Sequence, residues 1–372
     1  MTLRVAILGS GMIGGIHRRA AILAGANVVG VMSSSPARSE EAAHAWGTEP
    51  IRSFDELAVL DADVVHVCTP NAQHVEQTAA ALSIGAHVIC EKPLATSSDQ
   101  AEALAASAAT AARVATVPFV YRYHPLVREV RARVRAGEFG AWQLLHGSYL
   151  QDWLLSPRDT NWRVESALGG PSRTFADIGS HWCDLMEFVT GERIESVIAD
   201  FTTTVPHRPH PASDNSMPTR TLTVDTEDAA SVLFRTASNV LGAVTVSQVS
   251  AGRRNRLWFE FDGASASAVF DQEFPETVWM GGQSQDQVLH RSPSVGSADA
   301  RRLSSLPPGH AQGYAQCFES FVADTYDAVL GNPRDGLPTF DDGARSARIV
   351  DAVIESARTG TRVTVADSPV TA

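Results

Sequence analysis

Lysine occurs only once in this sequence, at Lys92, so 29 of its 30 Lys and Arg side chains are arginines. Lysine is a compact ammonium that can contact a single oxygen and exchange a proton, whereas arginine carries a fixed planar charge. Lys92 ends a nonpolar run that starts at His87, and Pro93 restricts its backbone to extended geometry, which aims the side chain. We therefore predict that Lys92 is catalytic and contacts substrate; the alternative is a surface charge.

A candidate pair of reactive residues lies in the stretch from Asp177 to Asp184. Four nonpolar residues there step by four, three and four, the spacing of a buried helical stripe: Ile178, Trp182, Leu185 and Val189. Asp177 and His181 share the neighbouring face, one turn apart, so both can point at one bound hydroxyl. This spacing predicts a catalytic, substrate-contacting pair, whereas the competing interpretation makes Asp177 a helix N-cap and His181 a packed structural histidine.

The run Gly9-Ser10-Gly11-Met12-Ile13-Gly14 directly follows a predicted strand and begins a predicted helix. In that setting the spacing G-x-G-x-x-G is typical of a dinucleotide-binding turn, where backbone N–H groups and the helix N-terminus meet a pyrophosphate. It predicts cofactor binding by Gly9, Gly11, Met12, Ile13 and Gly14. A merely tight turn between strand and helix is the alternative interpretation.

The end of the second predicted strand bears on the choice between NAD and NADP. NAD sites usually carry an Asp or Glu there, which binds the ribose hydroxyls. This sequence has Ser33, Ser34 and Arg38 instead, whose hydroxyls and guanidinium could bind a 2′-phosphate. The predicted cofactor is therefore NAD or NADP, with NADP slightly favoured, although Arg38 can equally be the exposed beginning of the next helix.

Further cofactor-binding residues are expected where other strands end, because the carboxyl ends of strands line the ligand crevice of a doubly wound sheet. The residues that follow the third and fourth strands are Thr69, Pro70, Asn71 and His74, and then Glu91 and Lys92. His66 and Cys68 alternate within the third strand, which favours a buried structural role over metal ligation.

Short nonpolar strands alternate with helices over the first third of the chain. Strands are predicted at Arg4–Leu8, Val28–Met32, Asp63–Cys68, His87–Glu91 and Val114–Phe119, and helices at Ile13–Ala24, His74–Ile84 and Ala101–Ala112. Nearly continuous nonpolar strands separated by helices predict an α/β fold with a doubly wound parallel sheet, covered on both faces.

From about residue 125 the pattern changes. A helix at Leu126–Ala136 precedes strand-like runs at Trp142–Leu150, Ile194–Thr203, Thr219–Val224, Ala229–Phe234, Val240–Val249, Leu257–Phe261 and Ala266–Phe270. Loops are predicted at Val205–Pro218 and Gly281–Gly309, and closing helices at Gln312–Leu330 and Asp342–Thr359. We predict an α+β domain with an open, mostly antiparallel sheet, and hence domains 1–124 for cofactor binding and 125–372 for substrate binding and oligomerisation.

Aromatic and polar residues after the first strand of that domain suit a polyhydroxylated ring. The stretch contributes Tyr149, Gln151 and Asp152 at a strand end, and Trp162 and Arg163 in the following loop. Such a ring can lie on an aromatic face while polar groups pair with its vicinal hydroxyls. Ordinary packing of the aromatic residues is the alternative. His310 and Tyr314, around a junction of loop and helix, are further substrate-binding candidates.

Composition narrows the classes of function. With 372 residues, 44% of them hydrophobic, the chain can form two domains, and its net charge of −12 argues against a nucleic-acid partner. The arginine-rich helix from Arg128 to Arg135 is expected to present a solvated face. Four cysteines without C-x-x-C spacing indicate a reducing compartment and predict no metal site. The N-terminus begins a strand without a leader and no nonpolar run reaches membrane length, so a cytoplasmic protein without a membrane partner is predicted.

The order Gly9-x-Gly11-x-x-Gly14, Thr69-Pro70-Asn71 with His74, Glu91-Lys92-Pro93 and Asp177-x-x-x-His181 resembles the Gfo/Idh/MocA oxidoreductases. The match extends through both predicted domains, and Glu-Lys-Pro is its most specific mark. The resemblance implies a Rossmann domain, then a domain whose open sheet packs against another subunit in a homodimer or homotetramer. It also implies that Lys92, Asp177 and His181 surround the reacting carbinol of a sugar or polyol substrate.

Two runs within this resemblance indicate different cofactors. The run 32–38 is similar to 1,5-anhydro-D-fructose reductases, which use NADPH, whereas 149–153 resembles levoglucosan dehydrogenases, which use NAD. Many relatives have Asn where this chain has Val120, before Tyr121 and Arg122, which implies that one cofactor hydrogen bond is missing. Arg122, Trp162 and Arg163 complete the predicted cofactor-binding residues.

Together these residues predict an NAD(P)-dependent dehydrogenase or reductase that transfers hydride between nicotinamide and a secondary alcohol of a sugar, anhydrosugar or cyclitol. His181 is expected to accept the hydroxyl proton, Lys92 to stabilise the developing alkoxide and Asp177 to orient the substrate. The alternative is a non-catalytic NAD(P)-sensing regulator on the same fold, which would bind cofactor without turnover. The complete set of Lys92, Asp177 and His181 favours the enzyme.

Overall fold

The computed structural model describes residues 2–210 and 221–366. The chain divides into two compact units, Met1–Tyr123 with Tyr314–Ala344 and His124–Gly313 with Arg345–Ala372. The assignment of 1–124 to the cofactor and 125–372 to the substrate stays a prediction. Among the described residues, no helix combines the length and the nonpolar character that are needed to cross a membrane.

The first unit contains a parallel sheet with helices between its strands. In chain order its elements are β1 Arg4–Leu8, α1 Met12–Leu23, β2 Asn27–Met32, α2 Pro36–Trp46, β3 Glu49–Ile51, α3 Phe54–Val59, β4 Val64–Val67, α4 His74–Ser83, β5 His87–Cys90, α5 Ser98–Thr110 and β6 Ala115–Thr116. The strand order is β3-β2-β1-β4-β5-β6, and every neighbouring pair is parallel. This is the order of a doubly wound dinucleotide-binding sheet. The continuous burial of β4 confirms a sheet that is covered on both faces.

Two elements of this unit, β3 and α3, were not predicted from the sequence, and α2 was predicted only as a helix that begins near Arg38. Helices α2 and α3 have the N-caps Ser35 and Ser53, whose hydroxyls each accept a hydrogen bond from a backbone N–H of the first turn, and β3 lies between the two helices. These helices have few nonpolar residues in register, so their capping residues were the stronger signal. β6 is shorter than the predicted strand because the N–H of Val117 donates to the carbonyl of Pro338 instead of continuing the parallel ladder.

The second unit contains a large mixed sheet. The remaining elements are α6 Pro125–Arg135, β7 Trp142–Leu150, α7 Ser166–Gly169, α8 Ser180–Thr190, β8 Ile194–Thr202, β9 His207–Pro209, β10 Thr221–Thr223, β11 Ala229–Thr236, β12 Leu241–Ser247, β13 Arg256–Gly263, β14 Ala266–Asp271, β15 Thr277–Gly282, β16 Gln287–His290, α9 Ala298–Leu303, α10 Tyr314–Val329, α11 Phe340–Thr359 and β17 Val363–Thr364. Of these, α10 belongs to the first unit, and α11 begins in the first unit and ends in the second.

Nine strands form the sheet, in the order β16-β15-β14-β13-β7-β12-β11-β8-β17. Only the central β7–β12 pair is parallel among these described strands. The predicted open, mostly antiparallel sheet is therefore confirmed. Burial alternates along β13, where Leu257, Phe259 and Phe261 are buried and the residues between them are half-buried. The rings of Phe259 and Phe261 stack with centroids 4.2 Å apart.

The two predicted loops are partly wrong. β9 lies inside the first one, Val205–Pro218, of which residues 211–218 lie outside the described residues. Its antiparallel partner β10 falls within the predicted strand Thr219–Val224, whose first two residues are also outside that range. β16 and α9 occupy parts of the second loop, Gly281–Gly309. All these elements are too short to show a hydrophobic period.

The arginine-rich helix α6 also differs from its predicted solvated face. Its valines at 127 and 130 are fully buried, as the sequence predicts. Arg128, however, is only 1% exposed, and its guanidinium lies 4.9 Å from the ring centre of Phe188. Arg131 lies over the same ring at 4.0 Å. Stacking on an aromatic face allows an arginine to lose water contact without losing its charge.

Candidate functional site

The glycine-rich turn between β1 and α1 is tightly packed at Gly9 and Gly14 and open at Gly11. Gly9 has φ +113°, and a Cβ on Gly14 would lie 1.9 Å from the carbonyl oxygen of Gly9. A Cβ on Gly11, by contrast, would meet no atom of the chain within 4 Å. Gly11 is the N-cap of α1 and makes no side-chain cap, so the helix N-terminus is left for another acceptor. The space at Gly11 is open, with Met12 and Ile13 in the first helical turn, and their contact with a pyrophosphate stays a prediction.

The end of β2 carries hydroxyls and a guanidinium. Ser33 Oγ lies 2.8 Å from Ser10 Oγ in the glycine turn, which joins the ends of β1 and β2. Arg38 Nη1 donates to Ser34 Oγ at 3.2 Å, so the guanidinium lies beside the serines rather than away from them. This group is polar, and residues 33–38 contain no carboxylate.

His74 at the start of α4 joins two loops at the carboxyl ends of β4 and β5. Its Nε2 lies 2.9 Å from the carbonyl oxygen of Thr69, and its Nδ1 lies 2.8 Å from that of Pro93. The Thr69 hydroxyl donates to Gln77 at 2.7 Å. The loop that holds Pro70 and the buried Asn71 is thus fastened to the loop that holds Lys92.

Glu91 is a buried carboxylate next to Lys92. It accepts a hydrogen bond from His17 Nε2 at 3.1 Å and one from the backbone N–H of Lys92 at 3.1 Å. Burial would raise the pKa of Glu91, but the hydrogen bond from His17 and the charges of His17, Lys92 and His74 outweigh it, so the pKa lies below its ordinary value. The negative charge of Glu91 is therefore retained beside the ammonium-bearing residue.

Behind Glu91 a chain of buried polar groups continues to α10. His17 Nδ1 lies 2.8 Å from His66 Nδ1, and His66 Nε2 lies 2.9 Å from the hydroxyl of Tyr326. Burial, and secondarily the charge of His17, holds the pKa of His66 well below its usual range. His66 and Cys68 are both buried, so their predicted structural burial is confirmed.

In the second unit, Asp177 lies in a π-helical turn, Phe175–Gly179, which continues directly into α8 with His181 in its first turn. The four predicted stripe residues, Ile178, Trp182, Leu185 and Val189, are all at most 2% exposed. Trp182 Nε1 donates to the carbonyl of Trp258 at 3.0 Å, and a Cβ on Gly147 would collide with its indole. The helix is therefore fixed closely on the sheet, and Asp177 is not its N-cap, which is Gly179.

Asp177 is held by two polar neighbours. Gln248 Nε2 donates to its Oδ2 at 2.8 Å, and Arg163 Nε lies 3.6 Å from its Oδ1. The guanidinium of Arg163 lies 4.3 Å from the ring centre of Trp162. The Asp177 carboxylate thus lies beside a guanidinium that is stacked on an aromatic face.

Tyr149 lies next to His181, with ring centroids 6.4 Å apart. Its hydroxyl donates to Asn255 Oδ1 at 2.7 Å, and Gln151 Nε2 donates to the same oxygen at 2.8 Å. Asp152 has a different partner: its Oδ2 accepts a hydrogen bond from Arg254 Nη1 at 2.7 Å. Polar groups of Tyr149 and Gln151 therefore converge on Asn255, and the Tyr149 ring lies beside His181, whereas the Asp152 carboxylate is paired with the exposed Arg254.

The comparisons with known proteins cover both units. Residues 3–119 match the family described as "Oxidoreductase family, NAD-binding Rossmann fold", and residues 127–269 match the "GFO/IDH/MocA C-terminal domain". A levoglucosan dehydrogenase of Pseudarthrobacter phenanthrenivorans is 30% identical over 343 residues, which are 88% of this chain and 86% of that protein. This chain belongs to the Gfo/Idh/MocA oxidoreductases.

Solved structures of similar dehydrogenases share the fold along nearly the whole chain. A levoglucosan dehydrogenase in complex with NADH and L-sorbose has a TM-score of 0.90 at 26% identity, covering 99% of this chain and 100% of that one. An inositol dehydrogenase homolog from Azotobacter vinelandii, complexed with NADH and myo-inositol, has a TM-score of 0.85 at 27% identity and 98% coverage of each chain. The predicted family and fold class are confirmed, and the chain is an oxidoreductase with an NAD-binding Rossmann domain.

The structure places three other predicted site residues of this Gfo/Idh/MocA chain. Arg122 is buried and donates to Asp342 Oδ1 at 2.9 Å in the first unit. Tyr314, also in the first unit, packs its ring 6.2 Å from that of Tyr121. His310 is exposed in the second unit, where its backbone carbonyl accepts from Arg291. Their roles in binding cofactor or substrate stay predictions.

Sequence reasoning missed the residues that hold the predicted ones. Gln248, Asn255 and His17 contact Asp177, Tyr149 and Glu91, respectively. A signal existed for Gln248, because it follows Gly242, Val244 and Val246 at period two, so an amide occupies the buried register of β12 and its continuation. Asn255 and His17 carry no comparable signal, because their partners are distant in sequence.

Proposed function

We propose that this protein transfers hydride between nicotinamide and a secondary alcohol of a sugar, anhydrosugar or cyclitol ring. The observation that carries this proposal is the pair Asp177 and His181 on successive turns, with the Tyr149 ring beside His181 and Gln151 sharing the Asn255 oxygen with Tyr149. A ring with several hydroxyls can form hydrogen bonds with the carboxylate, imidazole and amide groups while it packs against the aromatic ring. The Gly11 turn, which leaves room for a pyrophosphate, supplies the second requirement.

Each residue has a distinct role in the proposal. His181 accepts the proton of the reacting hydroxyl as general base and returns it in the opposite direction. Lys92 stabilises the negative charge that develops on the same oxygen, and Asp177 orients the substrate by accepting from a neighbouring hydroxyl. When bound, the nicotinamide accepts or supplies the hydride, while the protein supplies position and electric field.

The names of relatives support the substrate class. Structures of relatives contain L-sorbose, levoglucosan or myo-inositol, all of which present ring or chain hydroxyls. We infer a substrate of the same class for this chain, bound by Tyr149, Gln151, Arg163 and the catalytic residues. Asp152, His310 and Tyr314 stay as candidate contacts.

For the cofactor, two considerations compete. Related structures contain NADH or NAD⁺. The end of β2 in this chain has the Arg38 guanidinium beside Ser34 and no ribose-binding carboxylate, which slightly favours NADP. Either dinucleotide satisfies the glycine turn, since its pyrophosphate is common to both.

The experiment that tests the proposal is a parallel screen of sugars, anhydrosugars and cyclitols with NAD and NADP, read by the absorbance of the reduced nicotinamide. We expect turnover with at least one cyclic polyol and none with His181→Ala. A protein that binds cofactor by fluorescence but turns over no compound of the panel in either direction would contradict the proposal.

We further infer that the face of the nine-stranded sheet opposite its buried face binds a second copy of this chain. Nonpolar residues on that face include Leu233, 49% exposed, and Leu241, 38% exposed, each on a neighbouring strand. The family resemblance supports a homodimer or homotetramer formed through this sheet. Light scattering should show a monomer for Leu233→Arg if the inference holds, and an unchanged mass would refute it.

A further inference from the structure

Gln248 contacts the predicted catalytic carboxylate and has no role in the proposal so far. It follows β12 in the buried register and is 0% exposed. Its Nε2 donates to Asp177 Oδ2 at 2.8 Å, and its Oε1 lies 3.3 Å from the hydroxyl of Thr174. The reverse orientation of the amide would place two acceptor oxygens against each other, so its orientation is determined by Asp177.

Residues at the same end of the neighbouring strands β11 and β12 also fix the backbone around Asp177. The buried carboxylate of Glu227 accepts hydrogen bonds from the N–H of Phe175 at 2.8 Å and from the N–H of Arg173 at 3.1 Å. The N–H of Gln248 donates to the carbonyl of Asp228, the residue after Glu227, at 3.0 Å. Glu227 therefore holds the backbone of the turn, whereas Gln248 holds the Asp177 side chain.

A buried cluster of one carboxylate and two guanidinium groups lies at this end of the strands. Asp228 is fully buried and is paired with Arg173 and Arg208. Removing one partner of such a group leaves an uncompensated charge, so these residues would be poor probes of function. Gln248 is a better probe, because it is neutral and a methionine of similar length can replace it.

We propose that Gln248 is a positioning residue for hydride transfer, which keeps the Asp177 carboxylate ionised and directed at the substrate. A hydrogen bond donated to a carboxylate stabilises its ionised form and restricts its rotation. The inference rests on the role of Asp177 in the proposed function. It differs from a packing role, since it requires the amide N–H and not only the volume of the side chain.

Three variants separate these roles. Gln248→Met keeps the length and removes the donor, and we expect kcat to fall about tenfold with a folded protein of near-normal melting temperature. Gln248→Glu donates to Asp177 only while protonated, so its activity should fall with rising pH relative to wild type. Gln143→Met makes the same change at an exposed position of β7 and should leave kcat and KM unchanged.

The double variant with Asp177→Asn decides whether Gln248 acts through Asp177. We expect Gln248→Met to cause little further loss in the Asp177→Asn background. An equal loss in both backgrounds, or a pH profile of Gln248→Glu parallel to that of wild type, would overturn the inference. Failure of the proposed function would show differently, as wild-type protein without turnover.

If the wild-type protein shows no turnover, the inference can still be tested by the ionisation of Asp177, measured by NMR. In protein with carbon-13-labelled Asp carboxyls, the Asp177 signal, assigned by its absence in Asp177→Asn, should titrate at higher pH in Gln248→Met than in wild type. Identical titration in the two proteins would overturn the inference even if no substrate were known.

Discussion

The backbone N–H of Lys92 donates to the side-chain carboxylate of Glu91 at 3.1 Å. The Glu91 side chain therefore holds the peptide N–H of Lys92, and Glu91 in turn accepts a hydrogen bond from His17 on α1. His74 fastens the following residue, Pro93, to the loop after β4. The backbone at Lys92 is thus held on both sides, so that a change of the Lys92 side chain should report on chemistry rather than on folding.

Replacing Lys92 with Ala should lower kcat by about 10²-fold or more, a loss of about 3 kcal/mol, because the developing alkoxide loses its cation. The melting temperature should stay close to wild type, since Glu91 still accepts from the backbone at this position. Steady-state kinetics with the best substrate of the screen measure the effect. Near-normal turnover by Lys92→Ala would remove Lys92 from the mechanism.

The same substitution at two glycines of the turn should have opposite consequences. Gly14→Ala places a Cβ 1.9 Å from the carbonyl oxygen of Gly9, so the backbone must move and we expect loss of stability or of soluble protein. Gly11→Ala meets no atom of the chain within 4 Å and should fold. Its Cβ enters the space assigned to the pyrophosphate, so dinucleotide affinity should fall about tenfold or more.

Fluorescence titration with the reduced dinucleotide and thermal melts measure both variants. A Gly11→Ala protein that binds dinucleotide as tightly as wild type would place the cofactor elsewhere.

The affinity for NADP should depend on Arg38. Arg38→Ala removes the cation beside Ser34, and we expect the KM for NADP to rise about tenfold, while the KM for NAD stays unchanged because NAD has no 2′-phosphate. Arg358→Ala, an exposed arginine paired with Glu355 on α11, serves as the control for a lost surface charge. Equal changes for both dinucleotides would contradict a phosphate-binding role of Arg38.

How much the sequence predicts depends on whether a feature is local. β1 and β7 are predicted with their observed ends, because continuous or alternating nonpolar residues set both the strand and its limits. The spacing of Asp177 and His181 likewise predicts that they lie one turn apart, and the structure has them in the π-helical turn and in the first turn of α8, while their catalytic role stays a prediction. The association of Tyr314–Ala344 with the first unit could not be predicted, because it arises from long-range contacts such as the Thr116–Thr339 bridge.

The partners of the predicted site residues also depend on contacts between residues that are distant in sequence. Gln248 is opposite Asp177 only because β12 is central in the sheet and the π-helical turn lies at its end. The buried chain from Glu91 through His17 and His66 to Tyr326 joins four separate elements or loops. Tertiary packing decides which side chains meet in such networks. The period-two pattern of β12 marks Gln248 as buried, but it does not name Asp177 as its partner.

Stability at acidic pH should depend on His124, the N-cap of α6. Its Nδ1 accepts from the N–H of Leu126 at 3.2 Å, and burial lowers its pKa to about 3, with the charge of Arg291 adding to this and that of Glu276 opposing it. Because the pKa in the folded state lies below the value of about 6.5 in an unfolded chain, the unfolded state binds the extra proton first. The resulting stability is complete above pH ~6.5 and is lost as the pH falls towards 3, by up to about 1.4 kcal/mol per pH unit.

His124→Asn retains an acceptor for the helix N-terminus and cannot titrate, so it should unfold with a smaller pH dependence in this range than wild type. His44→Asn, at an exposed position of α2, should leave the slope unchanged. Urea denaturation at several pH values between neutrality and the acid limit measures the free energy of unfolding of each protein. A slope for His124→Asn equal to that of wild type would show that His124 exchanges its proton without cost to the fold.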